Sequence, residues 1–358
     1  MATLIVHTQG TLVEARGGHL RLMTPDGLRT ELPLVGIDRL HAYGKVQITT
    51  QALTVLAEAG KEVAWFSRGG RLRARLAVNP VGSGVAVRRA QYRAADDPAY
   101  ALELAQRLTA AKIANMRAVL LRAWRSRPER NDAALAQRLQ QAIDALDEAQ
   151  DLDSVRGIEG AATKAYYAAW AALMAGVFPW SGRNRRPPRD PLNVLLSFGY
   201  TLLANEVQAQ AEAVGLDPWL GFLHAERPGH AALASDLMEP LRPVLVDRVI
   251  LDLVSHLRLG WQHFESHAWQ SGRQPMALDD AEPTDDSDTL EAPTEVPRLT
   301  DEGRKVFLTA WERRLSFEDA DDGGVIGGRK VLADQVASFA RSLREGNPAL
   351  YVPHRLRT

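Results

Sequence analysis

The apolar residues of the chain change period once, and that change limits what it can fold into. Up to about residue 80 they alternate with polar residues in short runs, LIVHT, TLVEAR, HLRLMT and GLRTELP, separated by glycines and by Pro25-Asp26-Gly27. Alternation punctuated by turn residues is the pattern of half-buried strands. One helix interrupts it at 50–59, TQALTVLAEA, with Thr49 or Thr50 as its N-cap; a strand EVAWF and a turn into RLRARLAV follow. From Asp97 onward the spacing becomes three and four, as in DPAYALELAQRLTAAKIANMRAVLLRAWR, which predicts amphipathic helices. Asn79-Pro80-Val81-Gly82-Ser83-Gly84 between the two regimes reads as a linker. A chain of 358 residues is also longer than a single core usually carries. The expected fold class is therefore α+β. A small N-terminal β-rich domain, a sandwich over 1–80, is followed by a linker over 81–96. A larger all-α domain then spans 97–346, with an extended tail at 347–358.

Within the helical part, Gly157 is expected to open the helix that carries KAYYAAWAALMAGVF, and Gly215 to end the one that starts at NVLLSFGY. Pro240 and Pro243 must kink or restart the helix around them. Residues 277–297 hold eight of the 44 acidic residues and none of the 43 basic ones, so the rest of the chain is basic by seven charges. This stretch is poor in large apolar residues and is expected to be a disordered insert. With no cysteine, disulfides and thiolate zinc sites are excluded. The start lacks a basic segment followed by a long apolar run, and the uncharged run Tyr166–Trp180 is shorter than the ~20 residues that span a bilayer. These features predict a soluble, cytoplasmic protein with no membrane partner.

Four places carry residue types suited to chemistry. Glu159 lies between Gly157-Ile158 and Gly160; a glutamate near a helix start can simply favour the helix dipole, but the glycines clear space beside its carboxylate. His224 ends the apolar run WLGFL, with His230 as a competing histidine. Asp236 and Glu239, three apart, share a helix face and are bracketed by Leu233, Leu237, Met238 and Leu241. A buried carboxylate needs a cation or an arginine, and Arg242 and Arg248 are near enough to form salt bridges instead of a metal site. His263 and His267 are four apart but lack the HExxH pattern and read as a helix face. The fourth place is GRNRRPPRD. Arg183, Arg185, Arg186 and Arg189 there sit in a proline-stiffened loop suited to bidentate phosphate contact.

Taken together, G-I-E-G with A-A-T-K-A-Y-Y (157–167), G-R-N-R-R-P-P-R-D-P-L-N-V-L-L-S-F-G-Y-T-L-L (182–203), G-L-D-P-W-L-G-F-L-H (215–224) and A-S-D-L-M-E-P-L-R-P (234–243) resemble the CRISPR-associated protein one family, the integrase of the spacer-acquisition complex. The resemblance runs from the β-rich start to the C-terminal helices and leaves out the acidic insert. It implies a β-rich domain that forms a homodimer and a helical catalytic domain. Its metal site of Glu, His and an acidic residue falls on Glu159, His224 and Glu239, with Asp236 as an acidic helper. One nitrogen and two carboxylates suit Mg²⁺ or Mn²⁺ better than zinc. The family's basic residue after the histidine falls on Arg227, a phosphate contact that would join Arg242 and the loop arginines on DNA. Asn193, Ser197 and Tyr200 match the helix that walls the site. The implied reaction inserts a short DNA duplex into a repeat array by transesterification. Double-stranded DNA and a small adaptation partner protein bridging two dimers are the implied partners. A metal-dependent nuclease acting on branched or single-stranded DNA in repair, and a non-catalytic DNA-binding scaffold, are the rival readings.

Overall fold

The computed structural model describes residues 2–76, 84–174, 176–180, 182–184, 187–268, 294–316 and 327–356. The chain is mixed α/β, with strands at its N-terminus and a helical C-terminal region. It divides into two compact units, Met1–Val81 and Gly82–Thr358.

The first unit contains β1 (Thr3–Val6), β2 (Leu12–Arg16), β3 (His19–Met23), β4 (Arg29–Pro33), β5 (Arg39–Tyr43), β6 (Gln47–Ile48), α1 (Thr50–Glu58), β7 (Glu62–Phe66) and β8 (Leu72–Leu76). Two four-stranded sheets form, ordered β4-β3-β2-β6 and β1-β5-β7-β8. In the second, β5 pairs in parallel with both β1 and β7. Parallel neighbours need a crossover, and α1, capped by Thr49 on Ala52 N, lies between β5 and β7 in the chain. As a central parallel strand β5 is buried along its whole length, so its charged Arg39 and His41 are inside. Val13 and Leu20 of one sheet, Leu40 and Val63 of the other, and Ala52 and Leu56 of α1 share one core.

The second unit contains α2 (Gly84–Ala95), α3 (Pro98–Arg125), α4 (Ala133–Leu146), α5 (Leu152–Leu173), α6 (Pro191–Ala213), α7 (Ala232–Met238), one π-helical turn (Arg242–Asp247) and α8 (Arg248–Ser255). After α8 come β9 (Phe264–Ala268), β10 (Glu295–Leu299), α9 (Asp301–Ser316) and α10 (Gly328–Glu345). Aspartates start four of the helices, α3 to α6: Asp97, Asp132, Asp151 and Asp190 each accept a backbone N–H of the first turn. Among the described residues no helix is long and apolar enough to cross a membrane.

Several expectations are corrected here. Most of the linker expected over 81–96 is α2. Its Val87, Gln91 and Ala94 are buried, and the Gln91 side chain donates to Asp217 O and Leu220 O and accepts from Asp217 N. A Cβ built on Gly84 would lie 2.8 Å from the Gly215 Cα, so two glycines let these backbones meet. The region after residue 97 is not wholly helical, since β9 and β10 pair antiparallel. Consequently His263 and His267 lie in a short 3₁₀ turn and a strand, not on a helix face. The end of the expected insert, Glu295–Pro297, belongs to β10, while 269–293 lie outside the described residues. The helix expected to open at Gly157 begins instead at Leu152, capped by Asp151, which puts Glu159 on its third turn. The segment expected to be an extended tail opens with a 3₁₀ turn, Pro348–Leu350, and is held beyond it: Tyr351 is buried, His354 N donates to Gln335 Oε1 and Leu356 N donates to Asn115 Oδ1.

Candidate metal and DNA site

A buried carboxylate builds the histidine end of the site. Asp236, on α7, is fully inaccessible to solvent. Its Oδ2 accepts from Phe222 N at 2.5 Å and Leu223 N at 3.0 Å; its Oδ1 accepts from His224 N at 3.0 Å and faces His224 Nδ1 at 2.6 Å. The loop can wrap so tightly because residue 221 is glycine: a Cβ there would sit 2.9 Å from Asp236 Oδ2 and from Ala232 Cβ. Arg156 of α5 clamps the same loop through Leu223 O, at 3.0 Å from Nε and 2.7 Å from Nη2. With Nδ1 donating to Asp236, the imidazole directs its Nε2 towards Glu239 Oε1, 3.9 Å away. Burial pushes the His224 pKa down, but the Asp236 hydrogen bond and charge, with Glu239, leave it raised. His230 packs edge-on against His224 with ring centroids 6.0 Å apart.

Glu239 caps the C-terminal end of α7, where Pro240 and Pro243 interrupt the helical ladder. Side chains from elsewhere take carbonyls at this break: Gln335 donates to Leu237 O and Asn115 donates to Pro240 O. The break turns Glu239 inward. Its oxygens face Lys112 Nζ at 2.5 Å and Arg242 Nη1 at 3.1 Å, yet neither contact has hydrogen-bond geometry.

Glu159 reaches the same lysine from α5. Its Oε1 accepts from Lys112 Nζ and, at 2.7 Å, from the Thr163 hydroxyl one turn on. Burial would raise the Glu159 pKa, but the Lys112 charge and hydrogen bond, helped by Thr163, hold it down to about 2. Lys112 itself stays cationic: burial acts to lower its pKa, and the charges of Glu159 and Glu239 raise it overall. Glu159 and Glu239 thus meet at an ammonium group, and His224 reaches Glu239 from the other side of the carboxylate at 3.9 Å. Among the described residues no three His, Asp or Glu side chains are arranged to hold a metal as they stand. The donor set itself fits a hard divalent cation, with one imidazole nitrogen, two carboxylates, and buried Glu239 oxygens lacking a well-formed hydrogen bond.

The expected wall residues hold arginines. Asn193 Oδ1 and Ser197 Oγ accept from Arg183, whose guanidinium lies 5.7 Å from the Tyr200 ring centre. Arg242 stacks on the same ring at 4.8 Å. Arg242 is only 4% exposed and is committed to Glu239 and Tyr200, so it lies inside the site rather than on a DNA-facing surface. Arg227 is exposed at a turn bridged to His230. Arg189 is part-buried beside Asn184, which accepts from its backbone N–H, while Arg185 and Arg186 lie outside the described residues.

Reading residues one at a time misses three parts of this arrangement. Lys112 and Asn115 interrupt the buried stripe of α3 otherwise made of Leu104, Leu108, Ala111 and Val119; a charge at such a position is the signal that could have found them. Asp247 accepts from Tyr166 and Tyr200 hydroxyls at 2.9 and 2.6 Å beneath the arginines, and burial raises its pKa to about 6 against those bonds. Arg156 carries no local mark of its role.

A family model described as "CRISPR associated protein Cas1" matches residues 4–281. The chain is 36% identical over 327 residues to a protein of Rhodospirillum rubrum named a CRISPR-associated endonuclease Cas1, covering 88% of this chain and 87% of that one. A Thermus thermophilus protein of the same name is 36% identical, covering 84% and 80%. Among solved structures, a Cas1 protein from Thermotoga maritima superposes with a TM-score of 0.73 at 20% identity, covering 100% of this chain and 99% of that one. A casposase bound to integration product superposes with a TM-score of 0.77 at 21% identity, covering 100% and 96%. Similarity of this extent, over most of both chains, places the protein in the CRISPR-associated Cas1 family.

Proposed function

We propose that the chain is a metal-dependent DNA integrase and endonuclease that inserts short duplexes into a CRISPR repeat array in the cytoplasm. The observation that carries this reading is that Glu159 and Glu239, from separate elements, both meet the buried Lys112 ammonium, with His224 Nε2 3.9 Å from Glu239 Oε1. The names of the relatives, endonucleases of CRISPR systems, support the DNA-cleaving half. The joining half is supported by the fold shared with a casposase captured on its integration product. A fold also shared with a component of a Cas6-RT-Cas1–Cas2 complex supports a small adaptation partner. Homodimerisation through the N-terminal unit completes the proposed assembly.

In the proposed reaction a 3′-hydroxyl of the incoming duplex attacks a phosphodiester at a repeat border. One P–O bond forms as another breaks; the attacking hydroxyl gives up its proton, and the departing 3′ oxygen takes one. The number of phosphodiester bonds is unchanged, so no nucleotide triphosphate is consumed. Glu159, Glu239 and His224 Nε2 would hold Mg²⁺ or Mn²⁺, which when bound supplies charge to polarise a phosphoryl oxygen and acidify the attacking hydroxyl. Asp236 keeps His224 in the tautomer that leaves Nε2 free to ligate. Arg183 and Arg242, stacked on Tyr200, supply positive charge beside that position, while Arg227 and the 183–189 loop are the proposed contacts to the DNA backbone.

Strand transfer of a labelled duplex into a plasmid bearing a repeat array tests this, with Mn²⁺ or EDTA, with and without the partner, in wild type and Glu239→Ala. Metal-dependent joining that Glu239→Ala abolishes is expected. Nicking without joining in the presence of partner would favour a repair nuclease, and DNA binding without either activity would favour a scaffold.

A further inference from the structure

Lys112 occupies the place between the two carboxylates, and nothing in the reaction above gives it a task. Its ammonium is within contact of both Glu159 and Glu239, and the lysine and Glu239 side chains are 3% and 2% exposed. We propose that Lys112 is a built-in counter-ion, a positioning residue that holds Glu159 and Glu239 together before a divalent cation binds and that the cation displaces. The proposal rests on the metal reading of this site.

The charge balance leads to it. Lys112 and Arg242 offset Glu159 and Glu239 one for one within a buried cluster. Adding a divalent cation between the same carboxylates would bring two more positive charges into a poorly solvated space, more than the single further carboxylate of Asp247 beneath Arg242 can offset, so one resident cation must withdraw. Arg242 is pinned by its stacking on Tyr200. Lys112 ends a flexible four-carbon stem with a compact charge, the easier of the two to move. The ammonium therefore competes with the metal. It also lets two carboxylates from α5 and the end of α7 be buried at contact distance from one position while no metal is bound, which like charges would otherwise oppose.

Removing the charge should tighten metal binding while loosening the metal-free protein, an outcome that a merely structural lysine would not produce. The test is calorimetric titration of the full chain with Mn²⁺ at pH 7.5, comparing wild type, Lys112→Gln, Lys112→Met and Glu239→Gln, alongside thermal melts in EDTA and in Mn²⁺. Lys112→Gln is expected to bind at least about tenfold tighter than wild type, because a charged competitor is gone from a buried site. It should also melt lower in EDTA and gain more from Mn²⁺. Binding by Lys112→Gln alone, lost again when Glu239→Gln is added, would support the same conclusion. Wild-type binding with equal or weaker affinity in both lysine variants would overturn the counter-ion role and leave the metal site standing. No Mn²⁺ binding in wild type or in either lysine variant would overturn both. If the variants are unfolded in EDTA, Mn²⁺ should restore their far-ultraviolet circular dichroism; failure to refold would count against the proposal.

Discussion

Asp236→Asn is the substitution that most directly probes how the histidine is presented. The carboxylate makes four contacts with two oxygens: Phe222 N and Leu223 N at Oδ2, His224 N and Nδ1 at Oδ1. Asparagine keeps the shape but one oxygen only, so its NH₂ must face either two loop amides or two histidine nitrogens. Two charge-assisted bonds are lost, each worth roughly 1.5–3 kcal/mol, and relaxation of the loop recovers part, leaving a cost of about 3 kcal/mol. That corresponds to roughly a hundredfold change in an opening equilibrium, since 1.4 kcal/mol is a factor of ten. Amide hydrogen exchange at Phe222, Leu223 and His224 reads it locally: exchange there should speed up by about two orders of magnitude, beyond any change at the buried amides of α6. The raised pKa of His224 should fall at the same time, because its partner's charge is gone. Strand transfer should be lost with DNA binding retained. Unchanged protection of these three amides would refute the account of Asp236 as the group that holds the loop.

Further expectations follow from other parts of the molecule. Gly221→Ala places a Cβ 2.9 Å from Ala232 Cβ and from Asp236 Oδ2, and should destabilise by about 1–3 kcal/mol in urea unfolding, as overpacked sites do. Gln91→Leu keeps bulk but strands Asp217 N, Asp217 O and Leu220 O, and should cost roughly 2 kcal/mol, with earlier proteolysis within α2. In the N-terminal unit, burial raises the Glu62 pKa, but His41, Arg39 and Arg75 together bring it down to about 2. A depressed carboxylate stabilises above its unfolded pKa of 4.5 and loses that contribution as the pH falls towards 2. Discounted for the quarter of the side chain that is exposed, this is roughly 2 kcal/mol at neutral pH. Glu62→Gln should therefore melt below wild type at pH 7, and the gap should close as both are titrated from pH 5 to pH 2.

Local chemistry is legible in this sequence where it is strong. Alternation, turn glycines and the Thr49 cap mark β2, β3, β4, α1 and β7 without reference to anything distant, and aspartates before apolar periods mark α3 to α6. Glu159, His224, Asp236 and Glu239 are conspicuous because charge beside apolar neighbours is costly to bury. The same signals mislead where a partner is remote. Residues 84–95 look like a polar linker because the Gln91 side chain that anchors them finds its partners, Asp217 and Leu220, more than 120 positions away. His263 and His267 look helical by spacing, and only pairing with 295–299 makes a strand of the segment.

By itself, then, the sequence determines the strand-rich and helix-rich halves and the acid and histidine side chains available for chemistry, because propensity, capping and periodicity act over a few residues. Which side chains meet was decided by the tertiary structure. Lys112 stands between Glu159 and Glu239 only because α3, α5 and the proline-broken end of α7 pack there. Arg242 is an interior group only because that break is followed by a π-helical turn beside Tyr200. The physical reason is the range of the forces: a buried charge is satisfied by whatever the packing brings within a few ångströms, and chain separation plays no part in that.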